Sequence, residues 1–379
     1  MTSRLTDGSG SARRRIFGCL LAGIVLLGLL LADFATRNIY LALRKAPHGR
    51  IYHPYYDHGY RPNFDWIDKY GDWRAPYFSN SLGLRDARIR TVDASSGQPR
   101  ILFIGDSFTE GVGIPWEETF VGRVGKALEP EGIEVLNAGV MSYTPLLAKA
   151  KVRYLMEKEG LKFGRLVLFL DMSDIKDEQF YEEDAEGRAR LIPYGPFASQ
   201  AGWGVWVERY GEFSENVVEP NFTVIGALSR NAKIRLRKWS RKELGRQGAF
   251  THLPDWILYW EKENAPDRAI AEAGIAKLKQ TLESLQHYLL GRGVAMTLVI
   301  YPWPDYPLRK DGETRMQSIW RNWAAENKMP LIDLFPVFAQ CDPIREWYIP
   351  GDSHWNSRGH ALVADILLEN RDKILPLPK

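Results

Sequence analysis

A chain of 379 residues has room for one large domain with additions, or for two domains. Its hydrophobic share of 45% and charged share of 26% are ordinary for a globular protein, and a net charge of +3 does not indicate nucleic-acid binding. The two cysteines, Cys19 and Cys341, form no metal-binding pattern, and Cys19 lies in an apolar run, which argues against an internal disulfide. No Cys, His and carboxylate cluster has ligand spacing, so we expect neither a metal ion nor an organic cofactor.

The N-terminus carries an uncharged apolar run at residues 16–32, which directly follows three arginines. Its 17 residues are the lower limit for a membrane-spanning helix, and a cleaved signal peptide is the rival interpretation. No small-x-small cleavage site follows at Asp33, so we favour a tail at 1–15 and an uncleaved, single-pass signal anchor at 16–35. Four basic residues and one acidic residue flank the run on each side, so charge does not set the orientation. We expect the bulk of the chain to be exported, to the periplasm or the cell exterior.

The remaining chain predicts an α/β domain. Residues 36–98 are aromatic and rich in turns, and we interpret them as a connecting segment without a domain of its own. From residue 99 to residue 379, buried strands alternate with helical patterns, which indicates a parallel sheet covered on both faces. The predicted strands are 101–105, 133–136, 166–170, 294–301 and 330–334, and the predicted helices are 118–128, 146–158, 267–290 and 359–368.

A long insertion at 176–266 separates the third predicted strand from the fourth. It begins acidic, turns basic between residues 230 and 246, and contains five tryptophans. Its position at the carboxyl edge of the sheet is typical of a lid over a substrate site. A solvated helical subdomain and a basic, tryptophan-bearing face that lies on anionic lipid headgroups are the alternatives.

The candidate nucleophile is Ser107, in the stretch RILFIGDSFTEGVG that starts at Arg100. It follows a buried strand where a helix begins, which is the usual ligand crevice of an open α/β sheet. A serine hydroxyl needs a base to remove its proton and a third group to orient that base.

The C-terminal stretch GDSHWNSRGH, which ends at residue 360, provides both groups. Asp352 and His354 are two residues apart in a predicted loop, so the carboxylate can reach back to orient the imidazole. We therefore predict His354 as the general base and Asp352 as its orienting acid. The rival histidine, His360, begins a helix with apolar partners, and we interpret it as a packing residue.

Three short blocks resemble the SGNH (GDSL) hydrolase superfamily. They are Ile104-Gly105-Asp106-Ser107 with Gly111, then Asn137-Ala138-Gly139, and finally Asp352-x-His354-Trp355-Asn356. The segment 80–86 is similar to that of membrane-associated bacterial members. The resemblance implies a flavodoxin-like, three-layer α/β/α fold and an ester-cleaving or acyl-transferring serine enzyme.

The resemblance also implies an oxyanion hole. Its donors would be the backbone N–H groups of Ser107 and Gly139 and an asparagine side chain from a further block. This chain departs from the pattern there, since it has Ser173 before Asp174 instead of the usual Asn-Asp. Ser173 is the expected third donor, and we group Asp106 and Asn137 with the oxyanion and substrate-binding residues.

Three classes of function remain open. The first is a membrane-anchored serine esterase that removes an acyl group, with acetyl as the leading candidate, from a glycan or lipid. The second is an O-acyltransferase that uses the same three residues on a cell-surface or exported polysaccharide, since polysaccharide O-acetylation proteins resemble the D-x-H-W arrangement. The third is a carbohydrate-binding relative without catalysis. The expected partners are the acylated substrate and the membrane, and the sequence does not define an oligomeric state.

Overall fold

The computed structural model describes residues 8–43, 49–70, 73–192, 222, 224–229, 231–232, 235, 268–304, 306, 308, 313–341, 344–350 and 352–376. The chain divides into two compact units. One unit comprises residues 1–47 and 197–249, and the other comprises residues 48–196 and 250–379. The tryptophans of the predicted insertion and most of its basic stretch lie outside the described residues, so its role stays a prediction.

The longest helix among the described residues of the first unit is α1 (Gly8–Leu43). Its segment Arg14–Asn38 is long and apolar enough to cross a membrane, with a mean hydropathy of 2.4, and none of it is buried. The helical residues 224–229 contact α1 beyond its apolar run. The Asp33 carboxylate accepts hydrogen bonds from the backbone N–H groups of Val224 and Ile225, at 2.9 and 3.0 Å. Asp33 therefore satisfies backbone donors at the start of that helical stretch.

The second unit contains an eight-stranded sheet and two small hairpins among its described residues. In chain order the strands are β1 (Arg50–His53), β2 (Asp57–Tyr60), β3 (Asp65–Tyr70), β4 (Trp73–Ser79), β5 (Arg85–Asp86), β6 (Arg100–Ile104), β7 (Glu134–Asn137), β8 (Arg165–Leu170), β9 (Tyr181–Glu183), β10 (Ala189–Leu191), β11 (Ala295–Ile300) and β12 (Leu331–Asp333). The large sheet has the order β12-β11-β8-β6-β7-β5-β4-β3, and the hairpins pair β1 with β2 and β9 with β10.

Helices cover both faces of this sheet. They are α2 (Ser107–Glu110), α3 (Phe120–Leu128), α4 (Pro145–Glu157), α5 (Asp174–Asp177), α6 (Arg268–Leu290), α7 (Arg315–Glu326), α8 (Phe335–Gln340), α9 (Ser357–Glu369) and α10 (Arg371–Ile374). Successive residues of β6 enter different cores: Leu102 and Ile104 pack with α4, α6 and α7, whereas Ile101 and Phe103 pack with α3, α8 and α9. This alternation confirms the predicted three-layer α/β/α fold.

The five strands from β6 to β12 in this sheet are parallel and lie in the order β12-β11-β8-β6-β7. Numbered along the chain, this is the flavodoxin-like order, and the chain switches direction across the sheet at β6. Ligand crevices form outside the carboxyl ends of strands at such a switch point. Residues that follow β6 and β8 therefore line the expected crevice.

The segment 36–98, which was predicted to connect and pack without forming a domain of its own, also contributes strands to the sheet, so the sheet is mixed and mostly parallel. Three strands from this segment, β3 to β5, extend the sheet in antiparallel pairings. The physical reason is a two-residue alternation on β4, where Ala75 and Tyr77 are buried and their neighbours are exposed or half-buried. Aromatic residues on neighbouring strands complete the packing, with the Trp66 and Tyr77 rings stacked at 3.9 Å. The abundance of aromatic residues masked this alternation in the sequence.

Candidate active site

Ser107 is the first residue of α2, directly after the central strand β6. Asp106 caps this short helix, since its Oδ1 accepts a hydrogen bond from the Phe108 backbone N–H at 2.9 Å. The tight turn requires Gly105, because a Cβ there would lie 2.4 Å from Thr109 Oγ1. The strand, the cap and the glycine together fix the Ser107 backbone at the sheet edge, where the residue is 8% exposed.

The structure brings His354 and Asp352 to Ser107. The His354 Nε2 atom lies 2.7 Å from the Ser107 Oγ atom, and His354 Nδ1 lies 2.5 Å from Asp352 Oδ1. Asp352 Oδ1 also accepts the His354 backbone N–H at 2.9 Å. With Nδ1–H donating to the carboxylate, Nε2 is left as the acceptor for the serine hydroxyl proton. The arrangement has the geometry needed for a hydroxyl nucleophile, a general base and an orienting acid.

The loop that carries His354 is fixed by its neighbour, Trp355. This indole is fully buried and stacks on Phe338 at 5.7 Å between ring centroids. Asn356 caps α9 by accepting the backbone N–H groups of Arg358 and Gly359, at 2.9 and 3.1 Å. The histidine is thus held between a buried anchor and a capped helix start.

His360 has the packing role that its sequence context predicted. It is 1% exposed and accepts the Phe120 backbone N–H on its Nδ1 at 3.2 Å. Burial, with minor contributions from nearby cations, lowers its pKa to about 3, so its ring is neutral at physiological pH.

The predicted oxyanion donors are less completely assembled than the nucleophile and base. Within the described part of the chain, the Ser107 backbone N–H has no acceptor. The Gly139 N–H donates to Asn137 Oδ1 at 2.9 Å, and the Asn137 amide in turn donates to the Thr109 carbonyl at 2.8 Å. Asn137 therefore holds the loop after β7 against α2. Gly139 permits this close approach, because a Cβ would lie 2.6 Å from the Glu110 backbone nitrogen.

The position of Ser173 differs from its predicted role. Its hydroxyl and its backbone N–H both donate to Asp171 Oδ1, each at 2.7 Å. The hydroxyl proton is therefore directed at a carboxylate instead of a reacting carbonyl. The physical reason is that Ser173 follows Asp171 by two residues, a spacing at which a carboxylate readily forms an Asx turn.

Asp106, which the sequence analysis placed with the oxyanion and substrate-binding residues, lies in a group of buried carboxyls behind the nucleophile that the sequence did not indicate. Asp106, Asp171 and Asp174 are 8%, 0% and 4% exposed. Burial and the neighbouring Asp171 carboxylate raise the pKa of Asp106 well above its ordinary value, and the same two causes raise the pKa of Asp174. Tyr301 and Trp303 donate to this group, to Asp106 Oδ1 at 2.9 Å and to Asp171 Oδ2 at 2.6 Å. The surroundings of the carboxyl beside the nucleophile therefore favour its protonated form.

The first hairpin also supports the site, which the sequence did not indicate. Arg50 Nη2 lies 3.0 Å from Glu110 Oε1, one turn after the nucleophile. The other oxygen of Glu110 accepts the Met141 backbone N–H at 2.6 Å, and His58 Nε2 lies 2.8 Å from the Met141 carbonyl. The β1–β2 hairpin thus ties α2 to the loop that contains Gly139.

Among the residues that the structure describes, no group of three or more His, Cys, Asp or Glu side chains is arranged to hold a metal ion.

Comparisons with known proteins return structural likenesses only. No family model and no curated protein matches the chain. Similar solved structures include a lipolytic protein of the G-D-S-L family from Desulfitobacterium hafniense (12% identity, TM-score 0.37, covering 71% of this chain and 98% of the other). A lipase/acylhydrolase from Enterococcus faecalis is also similar (13% identity, TM-score 0.37, covering 74% of this chain and 100% of the other). So is a mutant of an acetyl-xylooligosaccharide esterase from Geobacillus (15% identity, TM-score 0.38, covering 73% of this chain and 95% of the other). Likenesses with TM-scores below 0.5 leave the function to be argued from this chain's own residues.

Proposed function

We propose that this protein is a serine esterase that uses Ser107, His354 and Asp352 as its catalytic residues. One observation carries the proposal: a nearly buried serine hydroxyl lies 2.7 Å from a histidine nitrogen whose other nitrogen is held by a carboxylate at 2.5 Å. A surface serine with a chance histidine neighbour would lack the strand-end position, the capped turn and the second hydrogen bond.

The reaction follows from these contacts. The Ser107 oxygen attacks the ester carbonyl while His354 Nε2 accepts the hydroxyl proton, and Asp352 stabilises the resulting imidazolium. His354 then gives that proton to the leaving alcohol, and an acyl-serine remains. A water molecule enters, loses its proton to His354 and attacks the acyl-serine carbonyl. The acid leaves, and the proton returns to Ser107.

We also propose that α1 is an uncleaved, single-pass anchor and that the catalytic unit is exported. The support comes from Asp33 and Phe34, which lie beyond the apolar run and contact Phe222, Val224 and Ile225 of the insertion. A helix that is removed as a signal peptide has no need of such contacts with the mature chain. An epitope tag placed at the N-terminus should stay on the full-length, membrane-bound protein. Release of the tag from the catalytic unit would contradict this anchor.

The substrate class in this proposal is an acyl ester, with acetyl as the first candidate, on a glycan or lipid at the membrane. The test is hydrolysis of 4-nitrophenyl acetate by the full-length protein in detergent micelles, compared with Ser107→Ala and with the exposed-residue control Ser95→Ala. Activity in the wild type and the control, and none in Ser107→Ala, supports the esterase. Equal rates in all three proteins would overturn it. Added oligosaccharide that receives the acetyl group in preference to water would identify a transferase.

A further inference from the structure

Lys151 is a buried cation with an unusual environment. It lies on α4 and is 1% exposed, and its Nζ donates to the Ala138 carbonyl at 3.1 Å. The rings of Tyr143 and Tyr56 lie 5.2 and 5.6 Å from the ammonium. Placing a lysine charge in such a site costs free energy, and the proposed reaction mechanism makes no use of this side chain.

The partner of Lys151 belongs to the oxyanion site. The Ala138 carbonyl and the Gly139 N–H are the two ends of one peptide group, and Gly139 is the second expected oxyanion donor. Amide resonance couples these ends, since electron density drawn to the oxygen comes from the nitrogen. A cation on the carbonyl therefore makes the N–H a stronger donor, as in hydrogen-bonded chains that polarise one another.

We propose that Lys151 is a positioning residue that orients and polarises the Ala138–Gly139 peptide, so that the Gly139 N–H stabilises the developing oxyanion. This inference rests on the proposed esterase function. It also addresses the absence of an asparagine at position 173, because a stronger backbone donor compensates for a side-chain donor that points elsewhere. During the reaction the Gly139 N–H shifts from Asn137 Oδ1 to the oxyanion, while Lys151 keeps its hydrogen bond to the carbonyl.

The groups that face Lys151 determine when it is charged. Burial lowers the pKa of Lys151 to about 7, while the Glu110 carboxylate on α2 opposes this shift. From the hairpin, burial and Lys151 itself lower the pKa of His53 to about 4, so that ring is neutral. Burial raises the pKa of Tyr56 and of Tyr143, which keeps both phenols neutral as well. Lys151 is therefore charged below about pH 7 and loses its proton above it.

The kinetic test compares wild type, Lys151→Met and Lys151→Arg across pH with 4-nitrophenyl acetate. The wild-type kcat should fall as pH rises through 7, because the neutral amine polarises the peptide less. Lys151→Met should lower kcat on the order of tenfold at pH 6, a smaller loss than the 10²–10³ that follows deletion of an oxyanion donor. Its KM should be nearly unchanged, and its kcat should not decline as pH rises through 7. Lys151→Arg keeps its charge and should retain activity to higher pH. An alkaline decline that persists in Lys151→Met would overturn the proposal.

A spectroscopic test does not depend on turnover. Labelling alanine with carbonyl ¹³C and glycine with ¹⁵N selects the Ala-Gly peptides, of which the sequence has four: 22–23, 138–139, 201–202 and 273–274. Ala138→Ser removes and so assigns the signal of interest. The Gly139 amide should titrate near pH 7 in the wild type and stay flat in Lys151→Met. A Gly139 signal that does not titrate in the wild type would overturn the coupling even if the esterase is active. Titration without any Ser107-dependent hydrolysis would instead overturn the esterase, and the catalytic role of Lys151 with it.

Discussion

Arg85 Nη1 donates to the Gly111 carbonyl at 2.6 Å, and so joins strand β5, between β7 and β4 in the sheet, to the end of the helix that begins with Ser107. The same guanidinium also donates to the carbonyls of Glu110 and Ile114. Arg85 is 3% exposed and lies over the Tyr77 ring at 4.6 Å. Three carbonyls at the far end of the nucleophile turn therefore depend on one side chain from a segment that the sequence predicted to be connecting.

Replacing Arg85 should destabilise both the fold and the nucleophile turn. Arg85→Met removes the guanidinium donor from three carbonyls, of which the Gly111 carbonyl still accepts the Ile114 backbone N–H at 3.2 Å. Each buried group that is left unsatisfied costs about 1–3 kcal/mol. Arg85→Lys should recover little, because a single ammonium cannot reproduce the planar fork. Urea unfolding of these variants, with the exposed Arg74→Met as control, measures the effect. Unfolding midpoints that match the control would contradict this account of the turn.

Asp106 should tolerate asparagine better than alanine. Its Oδ1 accepts from Phe108 and Tyr301, and its carboxyl also shares a hydrogen bond with Asp171, a set that a protonated carboxyl and an amide satisfy equally. Asp106→Asn should keep kcat within about threefold, which is only ~0.7 kcal/mol, whereas Asp106→Ala loses the helix cap, worth about 1 kcal/mol, and the buried contacts.

The pH dependence of stability tests whether the Asp106 carboxyl is protonated in the native protein. A carboxyl whose pKa is raised on folding binds its proton more tightly in the native state, so its contribution to stability is lost as pH rises from the unfolded pKa toward the native one. The stability of Asp106→Asn relative to wild type should therefore increase as pH rises. A Tm difference that is constant from pH 4 to pH 8 would mean that Asp106 is ionised in the native protein.

Ser173→Ala should have a small effect on turnover. The hydroxyl donates to Asp171, which keeps donors from the Ser173 backbone and Trp303 after the substitution. We expect kcat to fall less than about tenfold, far short of the 10²–10³ for loss of an oxyanion donor, and Ser173→Asn to retain or raise activity. A hundredfold loss in Ser173→Ala would restore this hydroxyl to the oxyanion hole.

Lys151→Met should stabilise the protein while it impairs the reaction. Because the pKa of Lys151 falls from 10.5 to about 7 on folding, the unfolded state binds more protons, and wild-type stability rises with pH between these values. The stability gained in Lys151→Met should be largest below pH 7 and shrink above it. Lys149→Met is the matched control on the same helix, since Lys149 Nζ pairs with Glu183 at 2.6 Å and its loss should destabilise. A Tm for Lys151→Met below wild type at pH 6 would contradict the assignment.

Much of the fold was predictable because its central strands are uninterrupted apolar runs. The five predicted strands match β6, β7, β8, β11 and β12 to within one or two residues at most ends. The candidate catalytic residues could be predicted for a related reason. Ser107 directly follows such a strand, and Asp352 and His354 lie in the loop before the capped helix α9. In these segments the local sequence pattern alone indicates where each residue lies in the fold.

Other features depend on contacts that no local pattern records. Lys151 sits in a helix where a lysine ordinarily predicts a solvated face, and it is buried in part by Tyr56 from the β1–β2 hairpin. Asp171 and Arg85 acquire their roles from partners distant in sequence, Trp303 and Gly111 among them. Two expected oxyanion donors are engaged in short-range hydrogen bonds: the Gly139 N–H donates to Asn137 and the Ser173 hydroxyl donates to Asp171. These bonds compete with donation to an oxyanion, and the sequence pattern did not indicate them.

Covalent labelling of Ser107 tests the central claim most directly. Full-length protein is treated with a fluorophosphonate, and the modified residue is located by mass spectrometry in wild type, His354→Ala and Ser107→Ala. The account predicts one adduct on Ser107 in the wild type, a labelling rate lower by at least about 10² in His354→Ala, and none at this site in Ser107→Ala. A wild-type protein whose Ser107 stays unlabelled, or is labelled at the same rate without His354, would contradict it.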